Sequence, residues 1–462
     1  MKIHIKFLAL VLCACALVTP AFSQKQTPPE GGTPKDFKLP AKQTFTLDNG
    51  LKATLVPYGS LPKVTVQLVI RVGNLNESEN EVWLADLTGD LLKEGTTSRT
   101  AEQIAQEAAS MGGQVNIGVG PDQTTIGGDV LSEFGPNLTK LIADIARHPL
   151  FPESELSRLQ KDRLRQLSIE KSDPNSITFE KFRSLMYPNH PYGRLYPTET
   201  MLQSYTIDHV RSFYANNFGA ARAHFFVAGR FDAEAMETAI RAAFGDWASG
   251  ADPLMNIPAP VSKRAVHLTD RPGAAQSTIY LGLPVIDPTQ KDYMALLVTN
   301  SLLGGSFGSR ITSNIREDKG YTYSPFSSIS TRYRDAYWAE VADVTTEVTG
   351  ASLKEIFYEI DRLQAEAPSE EELRGIQNYL AGVFVLQNST PSGIIGQLAL
   401  LNLHGLPESY LTEYVKNIYA VTPAEVQRIA QTYLRDEEMT IVITGDVKKI
   451  SAQIAAFGAI VN

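Results

Sequence analysis

Cysteine is almost missing from this 462-residue chain: Cys13 and Cys15 are the only two, and both fall in its first two dozen residues. From Gln24 onward there is no thiol, which excludes a disulfide scaffold, a cysteine nucleophile and a cysteine zinc site. Basic blocks are also missing. Lys plus Arg number 42 against 51 Asp plus Glu, a net charge of -9, so the electrostatic footprint of a nucleic-acid binder is absent and an anionic membrane surface would not attract the chain. After the first segment no apolar run approaches the ~18 residues of a membrane span. Histidine is scarce and scattered: His148, His190, His209, His224, His267 and His404 contain no pair at i,i+3 or i,i+4, the spacing by which one helix face offers two imidazoles to a metal.

What is present is a globular composition, 43% hydrophobic and 20% charged, on a chain long enough for two or more cores. Lys2 and Lys6, the apolar run Phe7 to Val18, and small Ala21 and Ser23 predict a cleaved signal peptide over 1–23 and an exported, periplasmic product. A lipoprotein signal ending at Cys15 is the alternative, disfavoured by apolar Ala16, Leu17 and Val18 behind it. Residues 24–42, rich in Pro, Gly and Lys, read as a flexible lead. Asp48-Asn49-Gly50 between two strand-like runs predicts a hairpin, Lys63 to Gly73 a strand, and Glu81 to Lys93 a helix.

An internal repeat sets the architecture. TIDHVRSFYANNFGAARAHFFVAG from Thr206 can be laid on TPAEVQRIAQTYLRDEEMTIVITG from Thr422, and Val210 to Gly229 spans the same length as Val426 to Gly445. Each copy is a Thr-capped helix, a strand ending in Gly, and a further helix. So long a period points to two homologous domains rather than a solenoid. The fold class expected is α+β: domains over 43–249 and 266–462, each a mainly antiparallel sheet with packed helices, joined by a Pro-rich linker at 250–265.

The string from Trp83, WLADLTGDLLKEGTTSRTAEQIAQEAASMGGQVN, with the LDNGLKATLVP hairpin and the His190 to Gly193 box HPYG, resembles the pitrilysin or insulinase metallopeptidase family, in its mitochondrial-processing-peptidase-like branch. The resemblance covers both halves. It implies a helix carrying H-x-x-E-H, two His as zinc ligands, the Glu as base, and a ligand Glu on a remote helix. Aligned on the KEGT turn, this chain has Asp86 and Asp90 at the His positions, Gly89 at the base and Gln166 at the remote Glu. An amide is a poor zinc ligand and Gly has no side chain, so the motif is degenerate and no metal is expected in this chain. Asp86 and Asp90 alone supply too few ligands for a hard ion such as calcium or magnesium.

The second half holds NSLLGGSFGSRITSNIREDKGYTYSPFSS, similar to the family's C-terminal box, where a glycine turn opens a helix ending in an Arg and a Tyr spaced by seven; Arg316 and Tyr323 have that spacing. The resemblance implies that they hold the substrate carbonyl and stabilise its oxyanion, which demands fixed donors. Read without it, they are a surface Arg and strand tyrosines, Tyr321 and Tyr323 flanking Thr322. A rival motif overlaps: Gly304, Ser306 and Gly308 match G-x-S-x-G, with Asp335 or Asp343 and then His404 in serine-hydrolase order. That elbow must follow a buried strand, and the preceding DPTQKDYMALLVTNSLL has helical spacing.

The function expected is therefore a non-catalytic subunit of a two-chain peptidase. It would donate Arg316, Tyr323 and half of a chamber for peptide substrates to a homologous partner that carries the zinc. A non-enzymatic peptide-binding or scaffold protein of the same fold is the alternative, and a serine hydrolase the third reading.

Overall fold

In the computed structural model, residues 37–461 are described; the signal peptide, the lipoprotein alternative and most of the lead, residues 24–36, lie outside them. Two six-stranded sheets carry the chain. The first is built from β1 (Gln43–Thr46), β2 (Lys52–Pro57), β3 (Lys63–Ile70), β4 (Asn116–Val119), β5 (Thr124–Leu131) and β6 (Ala223–Gly229) in the order β1-β2-β6-β3-β5-β4. The second, from β7 (Ala265–Asp270), β8 (Gln276–Val285), β9 (Phe326–Arg332), β10 (Asp335–Thr345), β11 (Thr440–Gly445) and β12 (Ile460–Val461), has the order β12-β7-β11-β8-β10-β9.

The two orders superpose, with β6 and β11, the strands of the sequence repeat, third in each and parallel to β2 and β7 respectively. The helices before them match too: α4 (Ile207–Asn217) and α9 (Pro423–Tyr433) both begin in capping boxes, on Thr206 with His209 and on Thr422 with Glu425. The helices after them are α5 (Ala233–Phe244) and α10 (Val447–Ile454). The copies differ at one edge. β1 reaches β2 through the Asn49-Gly50 turn and runs antiparallel, whereas β12 arrives after α10 and lies parallel to β7. No helix among the described residues is long and apolar enough to cross a membrane.

β6 is buried at every position, because the two faces of its sheet meet different cores. Alternation sends Leu55, Leu68, Phe225 and Val227 to one side and Val56, Val69, Phe226 and Ala228 to the other. That second side is covered from the far half of the chain, by Phe384 of α7 (Glu370–Gln387) and Ile394, Ile395 and Leu398 of α8 (Pro391–His404). The exchange is reciprocal: α3 (Pro174–Met186) lays Phe182 and Met186 on Tyr337, Ala339 and Val442 of the second sheet. Each half thus covers the other's sheet, and the halves are held by apolar packing as well as by the segment between Gly250 and Arg264, which contains no helix or strand. The end of the lead joins this packing, Phe37 lying edge-on to Phe384 with ring centroids 5.1 Å apart.

Candidate functional site

The degenerate motif lies on α1 (Leu84–Leu91) and α2 (Glu153–Ser172). The sequence predicts a longer first helix; it starts late because Trp83 takes a left-handed φ of 69°, a conformation that a bulky residue adopts only when its surroundings fix it. Glu77 supplies part of that fixing by accepting the Ala85 N–H at 2.9 Å. Asp86 and Asp90, one turn apart, face α2 together. Between them sits the guanidinium of Arg163, three residues before Gln166 on the same face of α2.

Its contacts converge. Nε donates to Asp90 Oδ2 at 2.8 Å, Nη2 lies 2.6 Å from the same oxygen, and Nη1 reaches Asp86 Oδ1 at 3.3 Å. Nη2 also donates to the Asp86 carbonyl at 3.1 Å and Nη1 to Gln166 Oε1 at 3.2 Å. The remaining Asp86 oxygen accepts from Asn74 Nδ2 at 2.7 Å, and the Arg163 guanidinium lies 5.8 Å from the centre of the Trp83 ring. Gly89, the fourth position, is turned toward β4: a Cβ placed there would stand 2.5 Å from Val119 Cγ2. The residues therefore do not fit zinc. No imidazole is present, no base has room, and a fixed cation lies among the acceptors. Among the described residues, no group of three His, Cys, Asp or Glu is placed to hold a metal ion.

Burial drives the local titrations. It raises the Asp86 carboxyl against the opposing pull of Arg163, and it pushes Glu77 up to about 8 against the hydrogen bonds from Ala85 and Asn74. Glu77 therefore takes up a proton on folding between its ordinary value of 4.5 and about 8. Over that window stability falls as pH rises, by at most about 1.4 kcal/mol per pH unit, and is level outside it. Glu77→Gln keeps the accepting Oε1 and removes the titration. Urea unfolding from pH 5 to 9 should show the variant gaining on the parent as pH rises through this window; parallel pH profiles would show that Glu77 is charged in the folded protein.

The second group is built on the glycine turn after α6 (Tyr293–Leu303). The turn requires glycine, since a Cβ on Gly305 would collide with Asn300 Nδ2 and one on Gly304 would stand 2.5 Å from Ser327 Oγ. The helix expected to end in Arg316 is a single α-turn, Arg310–Thr312, followed by a π-helical segment, Ser313–Asp318, a geometry frequent at functional sites. It is anchored by Arg310, which grips Glu372 of α7 with two bonds of 2.7 and 2.8 Å, and by Asn314 donating to Glu359 at 2.8 Å.

Arg316 projects with its guanidinium 4.3 Å from the centre of the Phe307 ring and 5.2 Å from that of Tyr323, its Nη1 on Glu317 at 2.5 Å. Tyr323 is 81% and Phe307 73% exposed. They line a cavity of about 330 Å³ together with Gly304, Gly305, Thr312, Pro325 and Tyr379. Arg316 and Tyr323 are thus brought together. The tyrosines are not strand residues as expected, because β9 begins only at Phe326 and Thr322 alone bridges to Val344. None of Asp86, Asp90, Arg163 or Gln166 lines this cavity.

The serine-hydrolase reading is overturned. Ser306 follows a helix rather than a strand, and its buried hydroxyl bonds no partner. Asp343 is engaged by Thr278 and Asn175, Asp335 by Tyr187, and His404 ends α8 with Nδ1 unpaired. The sequence reading missed Arg163, Asn74, Glu77 and Phe307. Arg163 left a signal, a cation one helical turn from Gln166 with two acids waiting at the His positions.

Comparison with known proteins agrees with this layout. Residues 58–197 match the insulinase family, peptidase family M16, and residues 204–380 the peptidase M16 inactive domain. The chain belongs to the insulinase (M16) family. An uncharacterized zinc protease of Rickettsia felis is 25% identical over 81% of this M16 chain and 91% of its own. A probable mitochondrial-processing peptidase subunit beta of Arabidopsis thaliana is 23% identical over 90% of this chain and 80% of its own. Among solved structures, a peptidase M16 inactive domain from Pseudomonas fluorescens superposes with a TM-score of 0.79 at 24% identity, covering 87% of this chain and 98% of that one. A protease from Helicobacter pylori gives 0.82 at 19% identity, covering 88% and 100%. These structures share the fold, two homologous domains with one sheet each.

Proposed function

We propose that this M16 chain is a non-catalytic subunit that lends Arg316, Tyr323 and half of a substrate chamber to a homologous, zinc-bearing partner for peptide hydrolysis. The observation that carries the reading is the pairing of Arg316 with Tyr323 in the lining of one cavity, beside Gly304 and Gly305. A guanidinium offers a permanent charge and a phenol a neutral donor, both suited to a carbonyl oxygen on which charge develops. The partner's metal centre would supply the hydrolytic chemistry; this chain's part is to hold and polarise the peptide and to exclude water. Its net charge of -9 favours basic peptides, and Lys2, Lys6 and the apolar run behind them support export to the periplasm.

A scaffold or peptide-binding role is favoured by one observation, the contact of Arg316 with Glu317, which offsets part of its charge. Copurification from the native envelope separates the two. Recovery of a second M16 chain with H-x-x-E-H, in equal amount, supports the subunit reading. Recovery of this chain alone, under conditions that preserve other envelope complexes, leaves the scaffold reading standing.

A further inference from the structure

We propose that Arg163 is a tethered cation standing in the place of a metal ion, so that the degenerate site is an electrostatic clasp joining α1 to α2. The claim concerns this chain's own stability and holds whether or not a partner exists. Four oxygens converge on one guanidinium: Asp86 Oδ1, the Asp86 carbonyl, Asp90 Oδ2 and Gln166 Oε1. They come from the positions at which an M16 zinc site would draw its ligands, and every one accepts from Arg163. Two carboxylates one turn apart on an eight-residue helix, itself weakened by Gly89, repel each other. A positive charge between them turns that repulsion into attraction.

Arg163 is well suited to the place. Its side chain is only 14% exposed, its fork presents donors in several directions at once, and its stem cannot be lost to a chelator. The clasp also fixes what lies beyond α1. β4, the edge strand of the first sheet, packs Val119 against Gly89, so holding α1 holds that edge. A wall that other M16 chains build around a metal would keep its shape here without one.

If the guanidinium stands for a metal, removing it uncovers an oxygen set suited to a hard divalent cation, with water completing the shell. The test uses the full-length chain, with thermal melting and calorimetric titration of Ca2+ and Mn2+. The parent should melt at the same temperature with and without millimolar Ca2+. Arg163→Met, which keeps an unbranched apolar stem but removes the charge, should melt several degrees lower and recover part of the loss with Ca2+ or Mn2+. Adding Asp86→Asn and Asp90→Asn to Arg163→Met should restore melting without any ion and abolish the ion response. The triple variant also provides a folded sample should the single variant fail to fold. The proposal is overturned if the parent responds to Ca2+ as the single variant does, if neither ion stabilises Arg163→Met, or if the triple variant is no more stable than Arg163→Met.

Discussion

The fourfold variant Asp86→His, Gly89→Glu, Asp90→His, Gln166→Glu will bind zinc no better than the parent, and adding Arg163→Ala with Val119→Ala will raise its zinc affinity by at least about 30-fold. From the sequence, the four changes rebuild the whole motif. In the structure they leave Arg163 among the new ligands, where it lies within 3.3 Å of Asp86 and 2.8 Å of Asp90. A unit charge roughly 4 Å from a divalent ion costs about 2 kcal/mol even at the dielectric constant of water, which is the source of the 30-fold figure, and more in a shielded site. The carboxylate introduced by Gln166→Glu would also pair with Arg163 rather than with the metal. A side chain at 89 meets Val119 Cγ2, so the restored base needs that wall cut back. Isothermal titration of both variants reads the difference. Equal affinities would mean that the guanidinium does not occupy the site.

The second large effect concerns the other half of the chain. Mixed with the zinc-bearing partner proposed for it, this chain should raise peptide hydrolysis from near zero, and Arg316→Ala or Tyr323→Phe should remove most of the gain while the complex stays assembled. Donors that meet a developing oxyanion change turnover more than substrate affinity. Losing one typically costs about 2.7–4 kcal/mol, or roughly a hundred- to a thousandfold in kcat. Because Tyr323 is exposed and buries little, its hydroxyl can be removed without loss of core packing. Tyr321→Phe is the internal control: its backbone is tied to Ile315 and Thr345, and it is not part of the Arg316 cavity. A loss in kcat with KM little changed is expected for Arg316→Ala and Tyr323→Phe alone. Unchanged turnover in both would assign the pair a structural role and the chain a scaffold's.

How much of this could be read beforehand depended on whether the deciding contact was local. The hairpin at Asp48-Asn49-Gly50 was legible because Gly50 itself takes the positive φ, 93°. Asn49 does something the sequence could not disclose, donating to the carbonyls of Phe244 and Trp247 nearly two hundred residues away. The repeat was legible because strand and capped helix recur at equal spacing, whereas β12, two residues long, carries no pattern to read. Tyr323 looked like a strand residue from its alternation with Tyr321, yet strand pairing there reduces to one bridge at Thr322. At the degenerate motif the sequence told which groups were missing. It did not tell what had replaced them, because Arg163 meets Asp86 only once α2 is laid against α1.

The most direct measurement is the zinc content and peptidase activity of this chain purified alone, after exhaustive treatment with a chelator and re-exposure to equimolar zinc. With Arg163 held by Asp86, Asp90 and Gln166, the account predicts far less than one zinc per chain and no turnover of peptide. One tightly held zinc per chain, accompanied by hydrolysis that the chelator abolishes, would contradict it.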